Sequence, residues 1–358
     1  MKILVTGACG FVGSSIIKYL LEQLPEIEIY GIDNLSRPGS TDNWNSLRLI
    51  GVTLLHRDIR IPNDFASLPK VDWVIDAAAN PSVLAGLDNE SSSGNLMENN
   101  LIGTIHTLEY CKRTGAGLVL LSTSRVYSIK GLSKIPLTTT QSRFEIDPSG
   151  LEGIPGLSPE GLSEEFSTRP PLSLYGASKS ASELLALEYS STFDFPLFIN
   201  RCGVIAGAGQ FGRADQGIFA FWIHSWREEL PLRFIGFQGS GRQVRDCLHP
   251  HDLGHLIEKQ IRRGSAPSGA EIINASGGIK NSMSLRELSQ WCENRFGPQP
   301  IESSLDERNF DAPHVVLNSH LAQSTWEWSP SLDLNKILSE IADFAEETPD
   351  WIARCKSN

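Results

Sequence analysis

Three glycines, each three residues from the next, join a short apolar run to a helical pattern at the start of this chain. They are Gly7, Gly10 and Gly13. The apolar run predicts a strand over 2–6, and the spacing of apolar residues after it predicts a helix over 11–23. Glycines at such a turn let the backbone pass close to a pyrophosphate and let the helix pack tightly on the strand. The turn therefore predicts a dinucleotide site at the helix N-terminus, where Phe11 and Val12 also lie.

The first half of the chain alternates short apolar runs with helical patterns. The predicted strands are 2–6, 27–33, 52–56, 71–76, 117–122 and 195–201. The predicted helices between them are 11–23, 95–113 and 174–192. Nearly all-apolar strands separated by helices are typical of a parallel sheet that is covered on both faces. The pattern therefore predicts an α/β fold with a doubly wound parallel sheet.

Residues 128–171 are rich in proline and glycine and interrupt this alternation. Long irregular stretches inside a compact domain are usually functional or mobile, so we interpret this one as an excursion at the rim of the site. Beyond residue 201 the predicted helices are 218–229, 251–263, 283–296 and 332–346, and the predicted short strands lie near 232–235, 243–248 and 271–275. We expect a smaller C-terminal α/β lobe there.

Composition excludes several classes of function. The chain has 31 basic and 42 acidic residues and a net charge of −11, which disfavours nucleic acid or an anionic membrane as a partner. It contains no run of about 18 apolar residues, so we expect no membrane span. The six cysteines are scattered without a paired motif, as is typical of the reduced thiols of a cytoplasmic protein. We expect no metal site, because no carboxylate or cysteine completes a ligand set around the histidines at 249–255.

The second predicted strand ends in Asp33, 20 residues after Gly13, and Asn34 follows it. A carboxylate at that position accepts hydrogen bonds from the adenosine ribose hydroxyls and repels a 2′-phosphate, so NAD is expected rather than NADP. Arg37 is the one nearby residue that favours NADP. Asp58, which precedes Ile59, can accept from the adenine amino group. Small residues that allow the backbone to approach the cofactor follow the fourth strand, and they are Ala77, Ala78 and Ala79.

Tyr175 and Lys179 are four residues apart and share one face of the helix predicted over 174–192. A lysine ammonium beside a phenol favours the phenolate, which lowers the tyrosine pKa and allows the phenol to take a proton from a substrate hydroxyl. Ser122, Thr123 and Ser124 end the fifth strand at the carboxyl edge of the sheet, where ligands bind in such folds. A hydroxyl there can hydrogen-bond the reacting oxygen.

Together these motifs resemble the extended short-chain dehydrogenase/reductases that act on nucleotide sugars. In that family the catalytic hydroxyl lies four residues before the tyrosine of a Val-Tyr pair, so Tyr127 selects Thr123. The stretch NNLIGTIHTLE at 99–109 is similar to a family helix that places Asn100 near the active site. The resemblance implies catalytic roles for Thr123, Tyr175 and Lys179, with the last two also contacting NAD. It implies a Rossmann-like NAD-binding domain over 1–200, a mainly nucleotide-sugar-binding lobe over 201–358, and a homodimer formed through the helices near 95–113 and 174–192.

The absence of an acidic pair after Thr123 narrows the reactions that the resemblance implies. Sugar 4,6-dehydratases of the family carry an Asp-Glu pair directly after the catalytic threonine, where this chain has Ser124 and Arg125. Without an acid and base for elimination, a transient oxidation with return of the hydride to the opposite face remains, which is epimerisation. The stretches 31–43, 209–223 and 239–253 are most similar to the CDP-paratose 2-epimerases, also called CDP-tyvelose epimerases. The alternatives are a 4-epimerase or oxidoreductase acting on a UDP- or other NDP-sugar, and a non-catalytic NAD-binding sensor.

The same resemblance implies the residues that hold the substrate. Arg245 in the VRD stretch matches a family arginine that contacts the diphosphate, and Arg308 lies near a second such site. For both arginines, the alternative to a diphosphate contact is a surface salt bridge. Ser124 and Gln210 are the other predicted substrate contacts. Ser303 stands where the family commonly has a further arginine, so one diphosphate contact is expected to be missing.

Overall fold

The computed structural model describes residues 1–87, 92–213, 216–267 and 271–356. Its strands are β1 (Lys2–Thr6), β2 (Glu28–Asp33), β3 (Thr53–His56), β4 (Trp73–Asp76), β5 (Gly117–Thr123), β6 (Leu137–Thr139), β7 (Phe144–Ile146), β8 (Leu157–Ser158), β9 (Gly161–Leu162), β10 (Leu197–Cys202), β11 (Val204–Ile205), β12 (Leu232–Phe234), β13 (Val244–Leu248), β14 (Ile272–Ala275), β15 (Ser282–Ser284), β16 (Ile301–Ser303) and β17 (His314–Val315). Its α-helices are α1 (Phe11–Gln23), α2 (Ser40–Leu49), α3 (Pro62–Ala66), α4 (Ser93–Met97), α5 (Gly103–Thr114), α6 (Ile129–Leu132), α7 (Leu174–Phe193), α8 (Ile218–Arg227), α9 (Pro250–Arg263), α10 (Leu285–Phe296), α11 (His320–Trp326), α12 (Leu334–Glu347) and α13 (Trp351–Lys356).

Within these residues, a large parallel sheet has the strand order β14-β10-β5-β4-β1-β2-β3. Every residue of β4 and β10 is buried, as expected for strands that are covered on both faces. One face packs an apolar cluster against α1 and α9, and the opposite face packs another against α5 and α7. The predicted doubly wound parallel sheet is therefore confirmed, and α1 has the predicted bounds.

The edge strand β14 and the covering helix α9 come from beyond residue 200. β14 pairs in parallel with β10, from Ile199 opposite Ile272 to Cys202 opposite Ala275. The helix α9 packs on α1, where Gly254 lies directly against the ring of Tyr19. The domain predicted over 1–200 is thus completed by residues that follow its boundary.

The remaining C-terminal residues form a smaller lobe. The helices α8, α10 and α12 share an apolar cluster with β12 and β13. β13 pairs with β11, β15 and β17, and β12 pairs with β16. None of the helices in the described part of the chain combines the length and apolar character that crossing a bilayer requires.

The 128–171 stretch is more regular than its composition suggests. It contains α6 and the antiparallel pairs β6–β7 and β8–β9. Phe166 and Leu162 pack in a cluster with Val315 of the smaller lobe, and the Leu162 N–H donates to the Val316 carbonyl at 2.9 Å. The prolines and glycines mark the turns of these short elements, so the stretch is held against the smaller lobe.

Candidate active site

A cavity of about 400 Å³ lies at the carboxyl edge of the large sheet, between that sheet and the smaller lobe. Its lining on the sheet side includes the glycine turn, Asp33, Asn34, Ile59, Ala77, Ala78, Ala79, Thr123, Ser124, Arg125 and Tyr175. Its lining on the lobe side includes Val204, Gln210, Phe219, Gln243, Arg245, Arg308 and Asp311. These lining residues precede residue 126 or follow residue 174, so the cavity wall does not draw on the 128–171 stretch. The expectation that the 128–171 stretch forms the rim of the site is therefore not met. Its apolar side chains pack with Val315 and Leu317 of the smaller lobe.

The glycine turn forms a cradle that side chains would fill. Gly7 has φ +62°, and a Cβ there would lie 2.8 Å from Ala78 Cα. A Cβ on Gly13 would lie 2.3 Å from the Gly7 carbonyl oxygen. Gly10 caps α1 without a side-chain hydrogen bond, which leaves the first N–H groups of the helix for a ligand. The turn therefore fits the pyrophosphate of a dinucleotide.

Gly13→Ala is expected to weaken NAD binding about tenfold or more, because the new methyl group must push the turn away from the phosphates. The measurement is the NAD released per protein chain on denaturation, together with the thermal midpoint. Gly51→Ala is the control: Gly51 has a positive φ that Gly13 lacks, so its alanine strains the backbone, but no heavy atom lies within 4 Å of the position that its Cβ would take. Equal NAD content in both variants would contradict the cradle.

Asp33 ends β2 with its carboxylate held by two backbone groups. Its oxygens accept from the Cys9 N–H at 2.9 Å and the Leu35 N–H at 2.8 Å. Burial raises the pKa of this carboxyl. The carboxylate keeps acceptor capacity toward the cavity, which fits ribose hydroxyls. Arg37 lies at the same end of the cavity and donates to Gln216 of the smaller lobe at 2.7 Å.

Asp58 is more fully engaged than the sequence suggests. Arg60 forms a salt bridge to it at 2.6 Å, and Asn34 Nδ2 donates to it at 3.0 Å. The hydrogen bonds from Arg60 hold the pKa of Asp58 down to about 2. Its neighbour Ile59 lines the cavity, whereas the Asp58 carboxylate is turned to Arg60 and Asn34. A contact from Asp58 to adenine therefore remains a prediction.

Thr123 and Tyr175 meet at the base of the cavity. Thr123 ends β5, and Tyr175 lies in the first turn of α7, whose N-terminus is capped by Ser173. Both side chains line the cavity, and the Thr123 hydroxyl is close enough to act on the phenol of Tyr175. Burial raises the pKa of Tyr175, while the Thr123 hydroxyl and the charge of Arg125 act in the opposite direction. The sequence predicts a lowered pKa caused by Lys179, whereas here burial of the phenol outweighs the two groups that lower its pKa, Thr123 and Arg125.

Lys179 lies one turn further along α7 and is only 2% exposed. Burial lowers its pKa, and the carboxylates of Asp76 and Glu183 act to raise it. No hydrogen-bond acceptor for Lys179 Nζ is found in the described part of the chain. Lys179 is not among the residues that line the cavity, so its contact with a ligand hydroxyl beside Tyr175 remains a prediction.

Asn100 lies in a single π-helical turn, Glu98–Ile102, that joins α4 to α5. Its Nδ2 donates to the Asn80 carbonyl at 3.0 Å and to Ser178 Oγ at 3.3 Å, and its Oδ1 accepts from the Asn80 N–H at 2.8 Å. Asn100 therefore holds the segment after β4 against the helix that carries Tyr175. A role of Asn100 in binding the cofactor remains a prediction.

The lobe side of the cavity is cationic. Arg245 is paired with Asp311 at 2.5 Å, and the charge of Arg308 acts on Arg245. Burial lowers the pKa of Arg125 to about 10, and the charges of Arg245 and Arg308 act in the same direction. Arg245, Arg308 and Asp311 thus lie on the lobe side of the cavity and Arg125 on the sheet side, an arrangement that suits an anion with more than one charge.

The remaining predicted substrate contacts lie nearby. Ser124 is buried beside Thr123 and lines the cavity. Gln210 Nε2 donates to the Ile205 carbonyl at 2.8 Å. Among the described residues, Gln210 Oε1 has no partner and is available as an acceptor.

Sequence reasoning missed two groups that hold the site together. Asp311 pairs with Arg245 across a long stretch of chain, and no local pattern marks it. Glu183 lies four residues after Lys179, and this spacing was the available signal. Its carboxylate binds Arg201 and accepts from Ser122, the neighbour of Thr123. The ion pair therefore ties α7 to β10, and the hydrogen bond from Ser122 ties α7 to β5 next to Thr123.

Comparison with known proteins adds an independent line of evidence. The model of the NAD dependent epimerase/dehydratase family matches residues 3–276. The CDP-paratose 2-epimerase of Salmonella typhi is 29% identical over 361 residues, with 96% of this chain and 99% of that protein covered. The UDP-glucuronate 4-epimerase of Thermodesulfobacterium geofontis is 27% identical, with coverages of 99% and 98%.

A solved structure agrees with this likeness. The UDP-glucuronic acid 4-epimerase of Bacillus cereus, in complex with UDP-glucuronic acid and NAD, has a TM-score of 0.78 and is 25% identical, covering 97% of this chain and 99% of its own. Because the family model matches well over half of the sequence, including the glycine turn, Asp33, Tyr175 and Lys179, this chain belongs to the NAD dependent epimerase/dehydratase family.

Proposed function

We propose that this protein inverts one sugar carbon of a nucleoside-diphosphate sugar with NAD that stays bound through the reaction. One observation carries the proposal: Thr123 and Tyr175 share a cavity with the glycine turn and with the pair of arginines Arg245 and Arg308. That cavity joins a dinucleotide cradle, a proton-transfer pair and a cationic wall. The glycine turn, Asp33 and Lys179 are the proposed NAD-binding groups.

The charge on the lobe side supports a diphosphate. Arg245 and Arg308 lie on the lobe side of the cavity, where Asp311 pairs with Arg245, and Arg125 lies on the sheet side. A diphosphate ester is anionic, so the two guanidinium groups of the lobe side can bind it. Planar guanidinium groups also match pairs of phosphoryl oxygens.

Tyr175 is the proposed base that removes the proton from the reacting sugar hydroxyl. NAD supplies the hydride acceptor and then the hydride donor. Thr123 holds the reacting oxygen against the phenol, and the Lys179 ammonium stabilises the phenolate from one turn further along α7. The keto sugar must present its other face before reduction, so Arg245 and Arg308 hold the diphosphate while the ring turns. Ser124 and Arg125 offer no carboxylate pair for elimination, which disfavours dehydration.

The leading substrate in this proposal is a CDP-linked deoxyhexose that is epimerised at C2. It is supported by the 29% identity to the Salmonella typhi CDP-paratose 2-epimerase. The second candidate is 4-epimerisation of a UDP-sugar, supported by the 27% identity to a UDP-glucuronate 4-epimerase. A net oxidoreductase acting on such sugars and a non-catalytic NAD sensor are the further alternatives.

The test is incubation of the purified protein with CDP-paratose or UDP-glucuronate in deuterated buffer without added cofactor. Internal hydride return is expected to give an epimer that carries no deuterium at the inverted carbon, as read by NMR. The position of the inverted carbon decides between the two candidates. A requirement for stoichiometric NADPH would point to an oxidoreductase, and NAD binding without turnover of any sugar would favour the sensor.

The assembly we propose is a homodimer formed through α5 and α7. Apolar side chains stand exposed on these helices and on the π-helical turn: Leu184 is 61%, Phe193 41% and Ile102 39% exposed. Pairing of these surfaces between two copies would remove that apolar area from water.

A further inference from the structure

We propose that Arg125 binds the sugar of the substrate directly and distinguishes the intact nucleotide sugar from its nucleoside diphosphate. The inference rests on the proposed function and deepens it. It assigns recognition of the sugar to position 125. The dehydratases resembling this chain carry one of their catalytic carboxylates there.

The backbone of Arg125 is fixed against both members of the proton-transfer pair. It lies in the 3-10 turn Ser124–Val126 that follows Thr123, and its N–H donates to Thr123 Oγ1 at 3.2 Å. On its other side, a Cβ on Gly176 would lie 2.2 Å from the Arg125 carbonyl oxygen. Gly176 follows Tyr175 on α7, so the absence of a side chain there allows the helix to approach Arg125. The backbone of Arg125, from which the guanidinium extends, is therefore held in place beside Thr123 and Tyr175.

The side chain of Arg125 reaches across the cavity to the smaller lobe. Its Nη1 donates to the Phe310 carbonyl at 3.2 Å, and Phe310 has a φ of +56°. Backbone held in this sparsely populated region often marks a functional loop. In the described residues, the other N–H groups of this guanidinium have no acceptor, although the side chain is partly buried in the cavity wall. A planar cation with unused donors in such a place can donate to the oxygens of a ligand.

The neighbours of Arg125 indicate which part of the substrate it meets. Tyr175, Arg245 and Arg308 act electrostatically on its guanidinium, and all four residues line the same cavity. In the proposed function the reacting carbon lies at Tyr175 and the diphosphate at the other two arginines. The group between them is the sugar ring, whose hydroxyl and ring oxygens are acceptors for a guanidinium fork.

The experiment measures binding, so it does not depend on knowing the turnover substrate. Dissociation constants for CDP, UDP, CDP-glucose, UDP-glucose and UDP-glucuronic acid are determined by calorimetry for the wild type and for Arg125→Met. The variant is expected to bind CDP and UDP within about twofold of the wild type. Its affinity for the nucleotide sugars is expected to fall about tenfold or more, as for the loss of a charge-assisted hydrogen bond.

Arg308→Met is the matched control, because loss of a phosphate contact should weaken nucleoside diphosphates and nucleotide sugars alike. If Arg125→Met loses NAD or unfolds, Arg125→Lys carries the test, since it keeps the charge and removes the planar fork. A loss of CDP and UDP affinity equal to the loss for the sugars would overturn the inference and make Arg125 a phosphate ligand. Unchanged affinity for every ligand would overturn it as well. Failure of the wild type to bind any of these nucleotides would instead reject the proposed function on which the inference rests.

Discussion

Tyr175→Phe is expected to lower kcat by about 10²- to 10⁴-fold, the usual contribution of a general acid–base group. The substitution keeps the buried ring and removes only the hydroxyl, on which Thr123 acts. Bound NAD and the thermal midpoint are therefore expected to stay close to those of the wild type. The measurement is turnover of the sugar identified by NMR, together with the NAD content of the purified variant.

Tyr110→Phe is the matched control for this substitution. Tyr110 is also buried, and its hydroxyl donates to the Pro69 carbonyl at 2.5 Å. Removing that bond should cost about 1 kcal/mol of stability and leave turnover unchanged. Full activity in Tyr175→Phe, or an equal loss of activity in both variants, would show that the phenol of Tyr175 does not move the proton.

Glu183→Ala is expected to lower the free energy of unfolding by about 3–5 kcal/mol, because it leaves the charge of Arg201 buried without its partner. The side chains of Arg201 and Glu183 are 8% and 5% exposed, and Nη2 of the arginine lies 2.7 Å from Oε2 of the glutamate. The same carboxylate accepts a hydrogen bond from the hydroxyl of Ser122, the neighbour of Thr123. Denaturant unfolding of the NAD-loaded protein measures the change.

The control for the buried pair is an exposed one. Arg233 and Glu302 form a salt bridge at 2.8 Å with side-chain exposures of 53% and 68%. Glu302→Ala should change stability by less than about 1 kcal/mol, because solvent screens that pair. The double variant Glu183→Leu with Arg201→Met should recover part of the stability lost by Glu183→Ala, since it removes both buried charges. Similar losses for Glu183→Ala and Glu302→Ala would contradict the assigned role of the buried pair.

Most of the large sheet and of the coenzyme cradle could be predicted from the sequence, because both depend on local patterns. The apolar run before Gly7 and the helical spacing after Gly13 determine β1 and α1, and the four-residue interval places Tyr175 and Lys179 on one side of α7. The family resemblance and NAD as its cofactor are confirmed by the family model. The CDP-sugar and the inverted carbon stay proposals.

What the sequence did not predict depends on contacts between distant segments. Arg245 meets Asp311, and Arg125 meets the carbonyl of Phe310, only after the smaller lobe has folded onto the sheet. The pKa of Tyr175 follows burial, which the spacing of two residues on a helix does not report. The hairpins within 128–171 were hidden because strands of two or three residues are too short to show an alternating pattern.

Because β14 follows residue 200 but pairs with β10 in the large sheet, the two lobes cannot be expressed separately by dividing the chain at that residue. A protein cut after residue 200 would lose the last two residues of β10 and leave the rest of that strand at an open edge, with its N–H and C=O groups free to recruit strands from other molecules. It would also expose the apolar face of α1 that α9 covers. The coenzyme half is therefore not a portable module, and grafting it onto a different sugar-recognition lobe requires a donor that supplies its own last strand and covering helix.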